Sequence, residues 1–222
     1  MARKSSASTK GQAKPPKSGE PPPADARSEP ARIADAALSE IAAMGWRDTN
    51  LDGVAARAGL DVGRVRLLAP IKSYLPPLII DSIDEDSLGR GLKPDPASSP
   101  RDRLFDVVMR RFDAMQRRRA GIVVLIKGLL RDPAAAAATA LRFNRSVAAT
   151  LAAAGISPDG LKGCARQLGL KAIMAATLRA WFQDESADMA KTMAALDRAL
   201  NAAEKLVALT QRRSAAAAKP GS

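Results

Sequence analysis

The chain has 222 residues and a formal charge of +12, set by 35 Lys and Arg against 23 Asp and Glu, with no His and a single Cys. Without imidazole there is neither a His general base nor a His metal ligand, and one thiol cannot close an internal disulfide, so His-dependent hydrolytic triads and zinc sites are excluded. A hydrophobic fraction of 46% with only 3% aromatics, rich in Ala and Leu, favours close-packed helices over sheets, and the excess of cations suits a polyanionic partner.

Residues 1–29 scatter Pro15, Pro16, Pro21, Pro22 and Pro23 among Ser, Gly and Lys without apolar periodicity, and are expected to be a disordered basic tail. Arg3, Lys4, Lys10, Lys14 and Lys17 in it suit electrostatic steering to phosphates. From Pro30 the pattern changes. Ile33, Ala37, Ile41 and Met44 recur at helical spacing before Gly45, which predicts a first helix and its stop. Thr49, with Asp52 three residues on, predicts the cap of a second helix carrying Leu51, Val54, Ala55 and Ala58 up to Gly59. Asp61 is the expected cap of a third helix containing Arg64, Val65, Arg66, Leu67 and Leu68.

Ser73 is the expected cap of a fourth helix, with Pro76 and Pro77 at its start. Pro94, Pro96, Ser98, Ser99 and Pro100 form a loop that separates a head of residues 30–90 from a helical body of residues 100–212, followed by a tail of residues 213–222. In the body Leu104, Val108, Phe112 and Met115 make an apolar stripe opposite Arg110, Arg111, Arg117 and Arg118. Arg117, Arg118 and Arg119 end that helix, where cations complement the dipole. The apolar run Ala120 to Leu130 contains Lys127 and is far shorter than the ~20 residues that cross a bilayer. No apolar segment near the N-terminus suggests a secretory signal.

An Ala-rich helix from Ala134 to Ala154 stops at Gly155. After Pro158 a long helix runs from Gly160 to Gln183, with Leu161, Leu168, Ala175 and Phe182 as its stripe. Ser186 opens the last helix, in which Met189, Leu196 and Ala203 recur every seven residues beside Met193, Leu200 and Val207, a seam able to pack a partner helix. Asp184, Glu185 and Asp188 at that start fit capping better than acid–base work. Cys164 is expected to be a small buried residue, and a lone thiol fits a cytoplasmic compartment.

The spacing Ala55, Gly59, Val65 carries the functional signal: a small residue where two helices cross, a glycine for a tight turn, and an apolar residue that locks the second helix on the first. Arg64 and Arg66 then face outward, as a major groove requires. The stretch RIADAALSEIAAMGWRDTNLDGVAARAGLDVGRV resembles the N-terminal domain of TetR-family transcriptional regulators. The resemblance implies an all-α, TetR-like fold, no enzymatic activity and no cofactor. It also implies a homodimer that binds a palindromic operator in double-stranded DNA, with a body that takes a hydrophobic small ligand and dimerises through its last two helices.

By position it implies DNA contacts from Thr49, Arg64, Arg66 and Lys72, the last opening helix four. Where such regulators carry a tyrosine and a second aromatic, this chain has Arg66, Leu67, Leu68 and Ala69, and Arg66 can replace the phosphate contact electrostatically. Candidate ligand-lining residues are Phe105, Met109, Phe112, Phe143, Met174 and Trp181. Candidate dimer residues are Leu168, Ala175, Met189, Met193, Leu196, Leu200 and Val207. A second segment, LRAWFQDESADMAKTMAALDRALNAAE, resembles the end of the TetR-like accessory family of ubiquinone biosynthesis. That resemblance implies an alternative: a protein that holds an isoprenoid lipid and contacts a partner hydroxylase.

Overall fold

Ser28 opens the first helix by accepting a hydrogen bond from the Ala31 amide, and Pro30 follows in the first turn, where a missing N–H costs nothing. This computed structural model describes residues 27–89 and 97–217, with side chains through Leu209. Arg3, Lys4, Lys10, Lys14 and Lys17 of the N-terminal tail, Pro94 and Pro96 of the loop, and residues 218–222 lie outside the described residues, whereas Arg27, expected in the tail, pairs with Asp35 at 2.8 Å.

Helix α1 (Glu29–Asp48) buries Ile33, Ala37 and Ile41, while Met44 remains 54% exposed. Gly45 interrupts it at φ 81°, a backbone state that L side chains resist, and so turns Trp46 back under the helix. There the indole is buried and its Nε1 donates to Asp132 at 3.1 Å. Helix α2 (Leu51–Ala58) is capped by Asn50, whose side chain accepts from the Gly53 amide. The expected cap, Thr49, instead donates its hydroxyl to the Gly45 carbonyl at 2.7 Å, the same oxygen that accepts from the Thr49 amide at 3.2 Å.

Gly59 adopts the left-handed conformation, and Asp61 caps helix α3 (Val62–Leu68) by accepting from the Gly63 amide. A 3-10 turn at Lys72–Tyr74 precedes helix α4 (Leu75–Leu88), so Tyr74 rather than Ser73 holds the cap position. Pro76 and Pro77 fall in the first turn of α4, where the backbone N–H groups have no helical acceptor.

The body continues with α5 (Pro100–Gln116), α6 (Arg119–Leu129), α7 (Pro133–Ala153), α8 (Gly160–Phe182) and α9 (Ala190–Ala217), and no strand occurs among the described residues. No helix among them is long and apolar enough to cross a membrane. The last helix begins later than Ser186, because Asp184 organises the turn before it. Its carboxylate accepts from the Ser186 amide and hydroxyl and from the Thr192 amide and hydroxyl.

A single apolar core runs from Ile33, Val54 and Val65 in the first three helices to Phe112, Trp181 and Leu196 in the last five. Helix α1 packs on α2, α4 and α6, and α8 packs along α9. The approach of α1 to α6 depends on two glycines seven residues apart: a Cβ at Gly121 would collide with the Leu38 main chain, and one at Gly128 with the Trp46 side chain. Helix α8 turns differently from its expected stripe. Leu161 and Leu168 are 89% and 69% exposed, and Leu170, Ile173, Met174 and Trp181 face the core instead. Cys164, expected to be buried, is exposed on the same helix.

Candidate nucleic-acid interface and ligand cavity

The tight turn at Gly59 sets α2 and α3 against α1, with Ala55 and Val65 buried at their crossing. Helix α3 then presents its remaining face to solvent. Arg64 keeps a 59% exposed side chain but is engaged by Glu29, to which Nε and Nη2 donate at 3.1 and 2.9 Å. Those hydrogen bonds from Arg64 hold the Glu29 carboxyl below the usual carboxylate range. Arg66 is 56% exposed, with Asp52 of α2 at 3.9 Å. Leu67, Ile71 and Tyr74 are exposed beside them.

Thr49 and Lys72 are held differently from the two arginines. Thr49 is buried, at 3% exposure. The Lys72 ammonium donates to the main-chain carbonyls of Trp46 and Arg47 at 3.0 and 2.9 Å and lies 4.9 Å from the centre of the Trp46 ring. It therefore satisfies the carbonyls left open at the end of α1, a use of cations that follows from the helix dipole.

Between α4, α5, α6, α7 and α8 lies a cavity of about 290 Å³. Three helices each give it one face at the spacing of a helical stripe: Ile79 and Ile83 from α4, Ile122 and Leu129 from α6, Met174 and Leu178 from α8. Of the residues expected to contact ligand, Phe112, Phe143 and Met174 line this cavity, and Phe105, Met109 and Trp181 do not. Trp181 is completely buried, donates Nε1 to Gln116 at 2.8 Å, and carries the Arg119 guanidinium 4.4 Å from its ring centre. Arg119 also donates to the carbonyls of Trp181 and Phe182, so this arginine closes the end of α8 from another helix.

Arg111, which the sequence places on the polar face of α5, is 3% exposed and lines the cavity. It is drawn inward by Asp84 of α4, whose carboxylate accepts from Arg111, from Ser146 at 2.6 Å and from Arg142 at 2.9 Å. Periodicity alone does not reveal this, because the acidic partner is on another helix. Ala175, expected in a dimer seam, lines the cavity too.

Met189, Leu196 and Leu200 of that seam are enclosed by the chain's own core, at 4%, 0% and 4% exposure, and Met193 packs against them. The outer surface of α8 and α9 carries Leu161, Leu168, Leu206, Val207 and Leu209 instead. No cluster of three or more carboxylate or thiol side chains suited to a metal ion occurs among the described residues.

The helix-turn-helix joined to a helical body with an internal cavity defines an all-α, TetR-like fold. Solved structures agree. A TetR transcriptional regulator from Nitrosomonas europaea ATCC 19718 superposes with a TM-score of 0.64 at 22% identity, covering 80% of this chain and 99% of that one. One from Rhodococcus sp. RHA1 gives 0.52 at 22% identity, covering 79% and 97%. No protein-family model and no curated protein matches the sequence.

Proposed function

We propose that this protein is a TetR-like, non-enzymatic DNA-binding regulator of the cytoplasm, a ligand-responsive repressor that acts as a homodimer on a palindromic operator. Residues 30–90 form its DNA-binding head and residues 100–212 its ligand-binding and dimerisation body. The observation that carries this reading is α3: a short helix fixed by Gly59 and Val65, with Arg64 and Arg66 at its surface. Among the described residues each arginine is held by one carboxylate, the half-buried Glu29 for Arg64 and the exposed Asp52 for Arg66. Such pairs are weak and screened by salt, and a line of phosphates outcompetes them.

Helix α4 joins cavity to head. Its Ile79 and Ile83 line the cavity, while Asp86 near its C-terminal end pairs with Arg118 at 2.8 Å, and Arg118 in turn holds Asp35 of α1 at 2.6 Å. A ligand that displaces α4 therefore displaces α1 and changes the separation of two heads in a dimer, which lowers affinity for paired half-sites.

In the alternative reading, favoured by exposed Leu67 and Ile71 where a DNA reader carries polar groups, the chain is an isoprenoid-binding accessory protein that docks a hydroxylase. A cavity of 290 Å³ holds about ten water volumes of roughly 30 Å³ each, room for a short apolar molecule and not for a long polyisoprenoid tail. The test is a double variant, Arg64→Ala with Arg66→Ala, titrated against duplexes selected by the wild type. A loss of affinity of about tenfold or more with an unchanged circular-dichroism spectrum is expected. Unchanged affinity contradicts the assignment of α3.

A further inference from the structure

The cavity is hydrocarbon on every helix that encloses it, except at two cations and Thr139, whose hydroxyl donates to the Ala135 carbonyl. Arg111 enters from α5 with its side chain 4% exposed. Among the described residues its hydrogen bonding is confined to Nη1, which donates to Asp84. A guanidinium carries five N–H donors. Nε and Nη2 thus have no acceptor among the described residues, beside an otherwise apolar cavity and close to the Phe143 ring, whose centre is 5.9 Å from the guanidinium carbon. An apolar occupant that displaces water from this cavity would leave those donors unpaired unless it carried a group that accepts from them.

The second cation is Lys171, one helical turn before Met174 and Ala175 on the cavity face of α8. The charges around the cavity can be balanced. Asp81 and Asp84 are matched by Arg142 and Arg111, which leaves the Lys171 ammonium as one uncompensated positive charge among the lining residues. An apolar body with one negative charge satisfies both conditions. It supplies acceptors for the open edge of Arg111 and neutralises Lys171.

We propose that the ligand of this cavity is a monoanionic amphiphile, a medium-length apolar carboxylic acid, whose carboxylate is taken by Nε and Nη2 of Arg111 with Lys171 balancing its charge. The geometry of a guanidinium edge suits a planar carboxylate better than a hydroxyl. The proposal rests on the reading of this cavity as the effector site of the regulator.

The experiment is calorimetric titration of the full chain with decanoate and with decanol, which share an apolar body and differ in charge. Decanoate is expected to saturate one site per chain and to bind about tenfold or more tightly than decanol. Lys171→Met, at a half-buried position with no hydrogen bond or ion pair among the described residues, is expected to weaken decanoate several-fold and leave decanol unchanged, whereas Ala175→Phe blocks both. Equal affinity for the two probes, or decanoate binding unaltered in Lys171→Met, overturns the anionic ligand while leaving the effector cavity standing. If neither probe binds, the carboxylic-acid ligand is overturned, while the regulator reading is judged separately by the binding of DNA.

Discussion

Asp184 shows how a residue can look chemical and be architectural. It is fully buried beside a turn in which Met189 has a positive φ of 53°. Burial by itself raises its carboxyl, but the hydrogen bonds from the side chains and amides of Ser186 and Thr192 outweigh that and hold it well below the usual carboxylate range. A carboxyl whose pKa is depressed by folding contributes stability that is complete above the unfolded value of about 4 and is lost as pH falls toward the folded value. Denaturant titrations from pH 6 to pH 3 are therefore expected to show a steeper acid loss for the wild type than for Asp184→Asn. Parallel curves would remove Asp184 from the account. The residues on which the expected likeness to the ubiquinone accessory family rested have structural roles at the same scale: Trp181 is core, Asp184 accepts from the amide of Thr192 in the first turn of α9, and Asp197 pairs with Arg101.

At the scale of elements, the helices were largely legible from apolar period and punctuation. Gly45, Gly59 and Gly155 are all at positive φ, where the pattern puts helix ends, and Asp61 caps α3 as expected. What failed was local competition. Thr49 turns its hydroxyl back to the Gly45 carbonyl and leaves the cap of α2 to Asn50, and α8 turns its Leu161–Leu168 stripe outward because Leu170, Ile173, Met174 and Trp181 face the core, Trp181 against Phe112 and Gln116 of α5. The cavity was half legible. Its aromatic and sulfur residues stood out, but Arg111 did not, since its inward turn depends on Asp84 from a helix distant in sequence. Nor does sequence period show why Gly121 and Gly128 are needed; only the seating of α1 on α6 does. Gly121→Ala is expected to destabilise the fold by about 1–3 kcal/mol in urea unfolding. A variant as stable as wild type would mean that α1 sits farther from α6.

For the molecule as a whole, the described structure separates residues that hold one copy together from those able to hold two. Leu196 and Leu200 are buried within the chain, so a charge at either one is expected to unfold it rather than to split a dimer. Leu168 on α8 and Val207 on α9 are exposed and belong to the surface that a homodimer would cover. Analytical ultracentrifugation of Leu168→Glu is expected to show folded monomers where the wild type is a dimer. A dimeric Leu168→Glu protein would move the interface elsewhere.

The most direct test of the regulator reading is capture of DNA fragments from the protein's own source by the purified full chain at about 0.15 M salt, where non-specific contacts are weakened. The account predicts enrichment of a palindromic site whose recovery falls when decanoate is added. Recovery of fragments with no shared sequence, at a level that vanishes as salt rises, would contradict it and leave the arginines of α3 as ordinary surface charge.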